Sequence, residues 1–300
     1  MVSSMSNLLV ILLVILGYLL KRLNIVRMEL TDSMIRLVFY VFLPATLFYS
    51  LIQLELKTEL LLLPLAGIFV ASSCYAVAYL IRNPFRMEKK TEGSFLITSG
   101  MMNQGLFMYP FFLTYLGTNG LSYVAFYDIG QAFLGLTLGY YIAIKYGNRV
   151  AKAENVLKNM LGFPSLWAFS FALLVNYLGF YSSIGTIIPL IEVLHNCTTP
   201  LIMLSLGIFL EPRIKKPNAM LGVIFIRFVF AMGIAILFSL LFNLDELGRI
   251  TVLIASTAPP AMLTLVYAVE EKLDVDFTSE LLSICICIGL IYTPLLFALL

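Results

Sequence analysis

Two stretches of this chain are apolar enough to sit in a membrane, yet each carries at its middle the residues a membrane helix should lack. The first reads Thr98-Ser99-Gly100-Met101-Met102-Asn103-Gln104-Gly105-Leu106-Phe107-Met108-Tyr109-Pro110, and the second Ala255-Ser256-Thr257-Ala258-Pro259-Pro260-Ala261-Met262. Asn103 and Gln104 bring amides that need partners, and Gly105 costs about 1 kcal/mol against alanine in a helix interior. Pro110 and the pair Pro259-Pro260 remove backbone donors and clash with the preceding turn. In hydrocarbon, backbone freed from a helix persists only where protein or a water-filled cavity surrounds it. Both stretches therefore predict helix breaks that line a cavity.

The chain is 61% hydrophobic and 12% charged, about half the charge of a soluble domain. An all-α integral membrane protein surrounded by lipid is expected. A bilayer core takes about 20 apolar residues per helix, and ten segments supply them: 7–20, 34–53, 60–81, 94–116, 121–145, 163–180, 185–209, 219–243, 248–269 and 277–299. Lys and Arg concentrate in alternate gaps. Sixteen lie at Lys21 to Arg36, Arg82 to Lys90, Lys145 to Lys158, Arg213 to Lys216 and Lys272, against Lys57 and Arg249 on the other side. Short cytoplasmic loops hold the positive excess, so the pattern predicts a multi-pass protein of the cell membrane with both termini outside. Met1 to Asn7 lacks the positive charge that opens a secretory signal, and Lys21-Arg22 follow the apolar run; the first segment is expected to stay as a helix.

Cys74, Cys197, Cys285 and Cys287 all lie in apolar spans, where thiols act as small hydrophobes. His195 is the one histidine, which leaves too few ligands for a metal site of the usual kinds. Without a nucleotide-binding glycine loop or a reactive constellation, no cofactor, enzyme activity or nucleic-acid partner is expected.

The longest hydrophilic connection, about Tyr146 to Gly162, is basic and falls at mid-chain. It separates two sets of five helices, 1–150 and 151–300. Because five is odd, the second set is inverted relative to the first, the arrangement of many secondary transporters. Offset by 157, Leu96, Ile97, Ser99 and Leu106 meet Leu253, Ile254, Ser256 and Leu263, while Pro44 and Pro200 correspond at nearly the same offset. The two breaks then fall in the fourth and ninth helices.

Helix starts carry unpaired donors and roughly half a positive charge, and proline suits the first turn. Pro259-Pro260 is accordingly expected to start a second half-helix with Ser256 or Thr257 near its cap, and Asn103 to serve similarly in the fourth helix. Two positive ends converging at the midplane favour an anion. Asn103, Gln104, Gly105, Pro110, Ser256, Thr257, Pro259 and Pro260 are the candidate substrate-binding residues. The competing reading makes them helix glue and packing kinks. Phe107, Tyr109, Phe111 and Phe112 line an apolar pocket in the first reading and pack the core in the second.

Four ionisable groups also fall within spans. Asp128 and Arg227 lie at depths within side-chain reach and form the expected ion pair, for coupling or structure, with Glu192 a rival partner. Glu192, His195 and Asn196 share one helix face, as a proton relay or a structural hydrogen-bond cluster.

At these residues the chain resembles the auxin efflux carrier family, which includes microbial permeases, within the bile acid transporter superfamily. Asn103 followed seven residues later by Pro110, Gly105 in an asparagine-x-glycine arrangement, Ser205-Leu206-Gly207-Ile208-Phe209-Leu210-Glu211-Pro212, Tyr115-Leu116-Gly117 and Tyr127-Asp128-Ile129-Gly130-Gln131 carry the likeness. It departs at Met108, where microbial members often have glycine, and it lacks the large hydrophilic central loop of many plant exporters. The resemblance implies fourth and ninth helices that cross at their breaks, a scaffold of helices 1, 2, 6 and 7, often as a homodimer, and a mobile transport domain of helices 3–5 and 8–10. The expected function is secondary transport of a small organic anion, a carboxylate, by alternating access of an elevator type. The alternatives are a sodium-coupled symporter of the bile acid type and a membrane sensor or scaffold that binds without transport.

Overall fold

The computed structural model describes residues 2–26, 28–147, 161–180, 184–212 and 216–300. Arg27, Arg149, Lys152, Lys158, Arg213 and Lys215 of the charge pattern, and most of the basic mid-chain connection, lie outside the described residues. Among the described residues every regular element is helical: α1 (Val2–Arg22), α2 (Met28–Leu37), α3 (Leu43–Leu51), α4 (Leu62–Ile81), α5 (Lys89–Gly100), α6 (Tyr109–Leu134), α7 (Tyr140–Tyr146), α8 (Pro164–Tyr177), α9 (Ile188–Phe209), α10 (Pro217–Phe225), α11 (Ala231–Leu241), α12 (Glu246–Ser256), α13 (Leu263–Glu270) and α14 (Val275–Leu299). Wider π-type turns join several of these, at Val38–Phe42, Gln104–Met108, Gly135–Gly139 and Ile226–Phe230.

Among the described residues, five continuous stretches are long and apolar enough to cross a membrane: Ser33–Leu51, Thr58–Ile81, Ile188–Phe209, Pro217–Leu241 and Val275–Leu299. The expected spans 94–116 and 248–269 are each split, as α5 from α6 and α12 from α13. Within α6, Gly117 (φ 66°, ψ −161°) interrupts the helix in a region of backbone space that glycine alone enters readily.

The chain divides into two compact units, each drawn from several stretches. Unit one comprises Met1–Lys57, Gly105–Ala125 and Leu161–Leu210. Here α1 and α9 touch backbone to backbone: a Cβ added at Gly17 would stand 2.2 Å from the Leu204 carbonyl oxygen, and one at Gly207 2.1 Å from that of Val14. Small residues that admit such approach drive helix association in lipid, where the hydrophobic effect between helices is absent. Beside them α3 packs on α8, whose Asn176 amide donates to the Leu51 and Leu54 carbonyls at 2.6 and 2.8 Å. Those bonds satisfy acceptors that the end of α3 would otherwise leave open.

Unit two comprises Thr58–Gln104, Phe126–Met160 and Glu211–Leu300. A Cβ at Gly130 would meet the Pro64 carbonyl oxygen at 1.9 Å, so the end of α6 also lies directly against α4. Tyr75, Ile97, Met101, Tyr140, Ile144, Tyr267 and Leu273 form one buried cluster of this unit. At its rim Asp274 precedes α14, accepting from the Phe277 amide at 3.0 Å, from Lys216 Nζ at 2.6 Å and from the Thr91 hydroxyl at 2.6 Å.

Candidate functional site

Both interruptions belong to unit two, and they meet. The helix α5 ends at Gly100 and the chain runs extended through Met102, while α12 ends at Ser256 and the chain passes through Pro259 and Pro260 before α13. The two extended pieces lie antiparallel, with Met102 opposite Pro260. The Asn103 amide donates to the Pro259 carbonyl at 2.8 Å, and the Ala261 amide to the Met101 carbonyl at 3.0 Å.

Buried backbone groups need partners, and here each partner can be named. The Met102 amide donates to the Gln131 side-chain oxygen at 3.2 Å. The amide of Gln131 in turn donates to the Asp128 carboxylate, which fixes the Gln131 oxygen toward Met102. Gln104 Nε2 donates to the Ala255 carbonyl at 2.8 Å; only the amino side of the amide can make that bond. Its oxygen is buried without a partner among the described residues.

The remaining carbonyls belong to Arg227, the largest side chain wholly shielded from solvent. It stands in the π-type turn Ile226–Phe230 between α10 and α11. From there Nη2 donates to the carbonyls of Ser256 and Ala258, each at 2.7 Å, and Nε to Ala258 at 3.0 Å. Nη1 reaches the Ser99 carbonyl at 3.5 Å and the Cys74 sulfur at 3.8 Å. One guanidinium thus holds the last carbonyls of α5 and α12 together.

Several expectations change at this point. Arg227, expected to pair with Asp128 or Glu192, donates to backbone carbonyl oxygens at the ends of the two interrupted helices. Pro259-Pro260 does not begin a helix: α13 starts at Leu263, and the prolines lie in the extended bridge. The hydroxyls of Ser256 and Thr257 donate back to Leu253 and Ile254 at 2.9 and 2.8 Å, so they finish α12 instead of capping α13. Pro110 is not itself the break: it follows the π-type turns Gln104–Met108 as the second residue of α6, and the helix continues through it. Asn103 does stand immediately before helical turns, those starting at Gln104.

In unit one His195 is buried and stacks on Tyr49 with ring centroids 4.7 Å apart, whereas Glu192 and Asn196 are exposed. Phe107, Phe111 and Phe112 are fully buried, the first two packed at 5.1 Å, as the core-packing alternative anticipates. A groove of about 350 Å³ in unit two is lined instead by Tyr75, Tyr79, Tyr141, Tyr146 and Lys145 among others. Sequence reasoning missed Gln131 as a support for the break, although its place three residues after Asp128 puts both on one helix face.

A family model described as "Membrane transport protein" matches residues 2–297. An uncharacterized transporter of Methanocaldococcus jannaschii is 29% identical over 296 residues, covering 96% of each chain. Another uncharacterized transporter, from Methanothermobacter thermautotrophicus, is 28% identical over 298 residues, 98% of this chain and 97% of its own.

Proposed function

The chain belongs to the membrane transport protein family, and from that premise we propose that it is a secondary transporter that carries a small organic anion, a carboxylate, through the bridged breaks by alternating access. The observation that carries this reading is the bridge between Met102 and Pro260. Irregular backbone is tolerated at membrane depth where it lines a cavity, and discontinuous helices are where transporters hold substrate.

The charge of the anion follows from the helix ends. The C-terminal ends of α5 and α12 lie at the bridge, and the helical turns starting at Gln104 and at Leu263 begin within three residues of it. Each end is worth roughly half a charge. The guanidinium of Arg227 offsets the two negative ends, which leaves two positive starts to attract an anion. Asn103, Gln104 and Gly105 are proposed to face the substrate from one side, and Pro259 and Pro260 to shape the other. Ten spans in two inverted repeats, both termini outside, and an elevator-type movement of unit two complete the proposal.

Saturable uptake of organic acids into proteoliposomes tests it, with Asn103→Ala expected to lower the rate at least tenfold. A bound acid that is never moved would favour a sensor, and movement of neutral or cationic compounds only would remove the anion reading. Uptake that requires a sodium gradient would identify the bile acid type of symporter.

A further inference from the structure

The carbonyl oxygens of Ser99, Ser256 and Ala258 converge on one point in the interior of unit two. They are the freed ends of two interrupted helices, each bearing roughly half a negative charge. Half-helix C-terminal ends and unwound carbonyls of this kind are what coordinate sodium in coupled transporters. Here the point is filled by the side chain of Arg227, wholly buried, with its closest contacts at 2.7 Å. A guanidinium cannot lose its proton in a protein and offers five donors in a rigid fork. Its unit charge matches the sum of the two helix ends, which offsets the cost of burying it.

We propose that Arg227 is a resident cation: its guanidinium takes the carbonyl cage in which a coupling ion would otherwise be held, so the two breaks stay joined without a bound monovalent ion. Arg227 is then a positioning residue, acting on substrate through the shape of the bridge. The serine pair bears on this directly. Ser99 and Ser256 correspond under the 157-residue offset, and one side chain reaches the carbonyls of both. The inference rests on the bridge geometry that also carries the transport reading, but its test reads stability, so the two can fail separately.

The test measures thermal unfolding of the purified full chain in detergent, in sodium, lithium, potassium or choline chloride at one ionic strength. Wild-type protein is expected to melt at the same temperature in all four salts. Arg227→Met is expected to melt several degrees lower in choline, and to recover saturably with sodium, lithium or low millimolar guanidinium, because a ligand that binds only the folded state stabilises it by mass action. Arg227→Lys, which keeps the charge and loses the fork, should fall between them in choline. Saturable stabilisation of the wild type by sodium would overturn the proposal. So would an Arg227→Met protein as stable as wild type, or one that no small cation restores, since packing and not charge would then be what the bridge needs. If Arg227→Met fails to fold, the wild-type salt series and the lysine variant decide alone.

Discussion

Pro200 of unit one and Pro259-Pro260 of unit two interrupt their helices differently. In unit one Pro200 lies inside α9, and the helix runs on from Ile188 to Phe209. The neighbouring Thr198 hydroxyl bonds the Leu194 carbonyl at 2.9 Å and faces the Thr46 hydroxyl at 2.6 Å. In unit two Pro259-Pro260 ends the helix, and donors from distant elements hold the freed carbonyls: Arg227 from the turn after α10, and Gln104 from across the bridge. A proline alone therefore does not make a break. A break persists where something else supplies the missing donors, and in unit two those donors are polar side chains buried for that purpose. In unit one α1 and α9 are joined by close backbone approach, whereas the breaks of unit two are held by a hydrogen-bonded network.

The comparison breaks first at the glycines of unit one. Valine at Gly207 would press a methyl-bearing carbon to 2.1 Å from the Val14 carbonyl, a backbone atom that cannot swing away. Overpacking of this kind costs about 3 kcal/mol, so Gly207→Val should lower the equilibrium stability in detergent by about that much. A variant near wild-type stability would show that α1 and α9 do not depend on touching backbones. In unit two the equivalent cut is Gln104→Leu, which keeps volume but leaves the Ala255 carbonyl without this donor. That carbonyl keeps the Ala258 amide at 3.2 Å, so the cost is that of one hydrogen bond, about 1 kcal/mol. The same assay should find a smaller loss than at Gly207; an unchanged protein would mean that the bridge holds without the glutamine.

These contrasts were partly legible in the sequence. Breaks near Asn103 and near Pro259 announced themselves because glycine, amide and proline residues stand out in an apolar run. The offset that matched Ser99 with Ser256 identified two residues whose carbonyls approach one guanidinium, although it could not say why. What stayed hidden was the partner of Arg227. Reasoning from depth looked for another charged side chain, and backbone carbonyls leave no mark in a sequence. The helix start at Pro259 was misplaced by weighing proline's fitness for a first turn above a competing rule. The residue before a proline is pushed out of the helical region, and in Ala258-Pro259-Pro260 two successive residues precede one. That constraint extends the chain and delays α13 to Leu263. Sharing a helix face does not decide which of Glu192, His195 and Asn196 is covered; Tyr49 stacks on the histidine, and the other two are exposed.

The smallest expected effect separates two of the cations of unit two. Arg227 bonds backbone carbonyls, which gain no proton in this range, so acid should leave those contacts intact. Lys216 instead meets Asp274, whose carboxyl can be protonated. Burial pushes that carboxyl up, but hydrogen bonds from Lys216, Thr91 and the Phe277 amide outweigh it and hold the group below its ordinary value. A carboxyl lowered in the folded state contributes stability that is complete above the unfolded value, about 3.9, and disappears as pH falls through the folded one. Asp274→Asn keeps an acceptable cap for α14 while removing the charge. At neutral pH it should cost about 1 kcal/mol or less, because Lys216 is partly exposed and its pairing is screened by solvent. As pH falls below about 3.9, the gap between the melting temperatures of wild type and variant should close. Curves that remain parallel through this range would show that Asp274 acts as a cap alone, and that the acid sensitivity of unit two has another source.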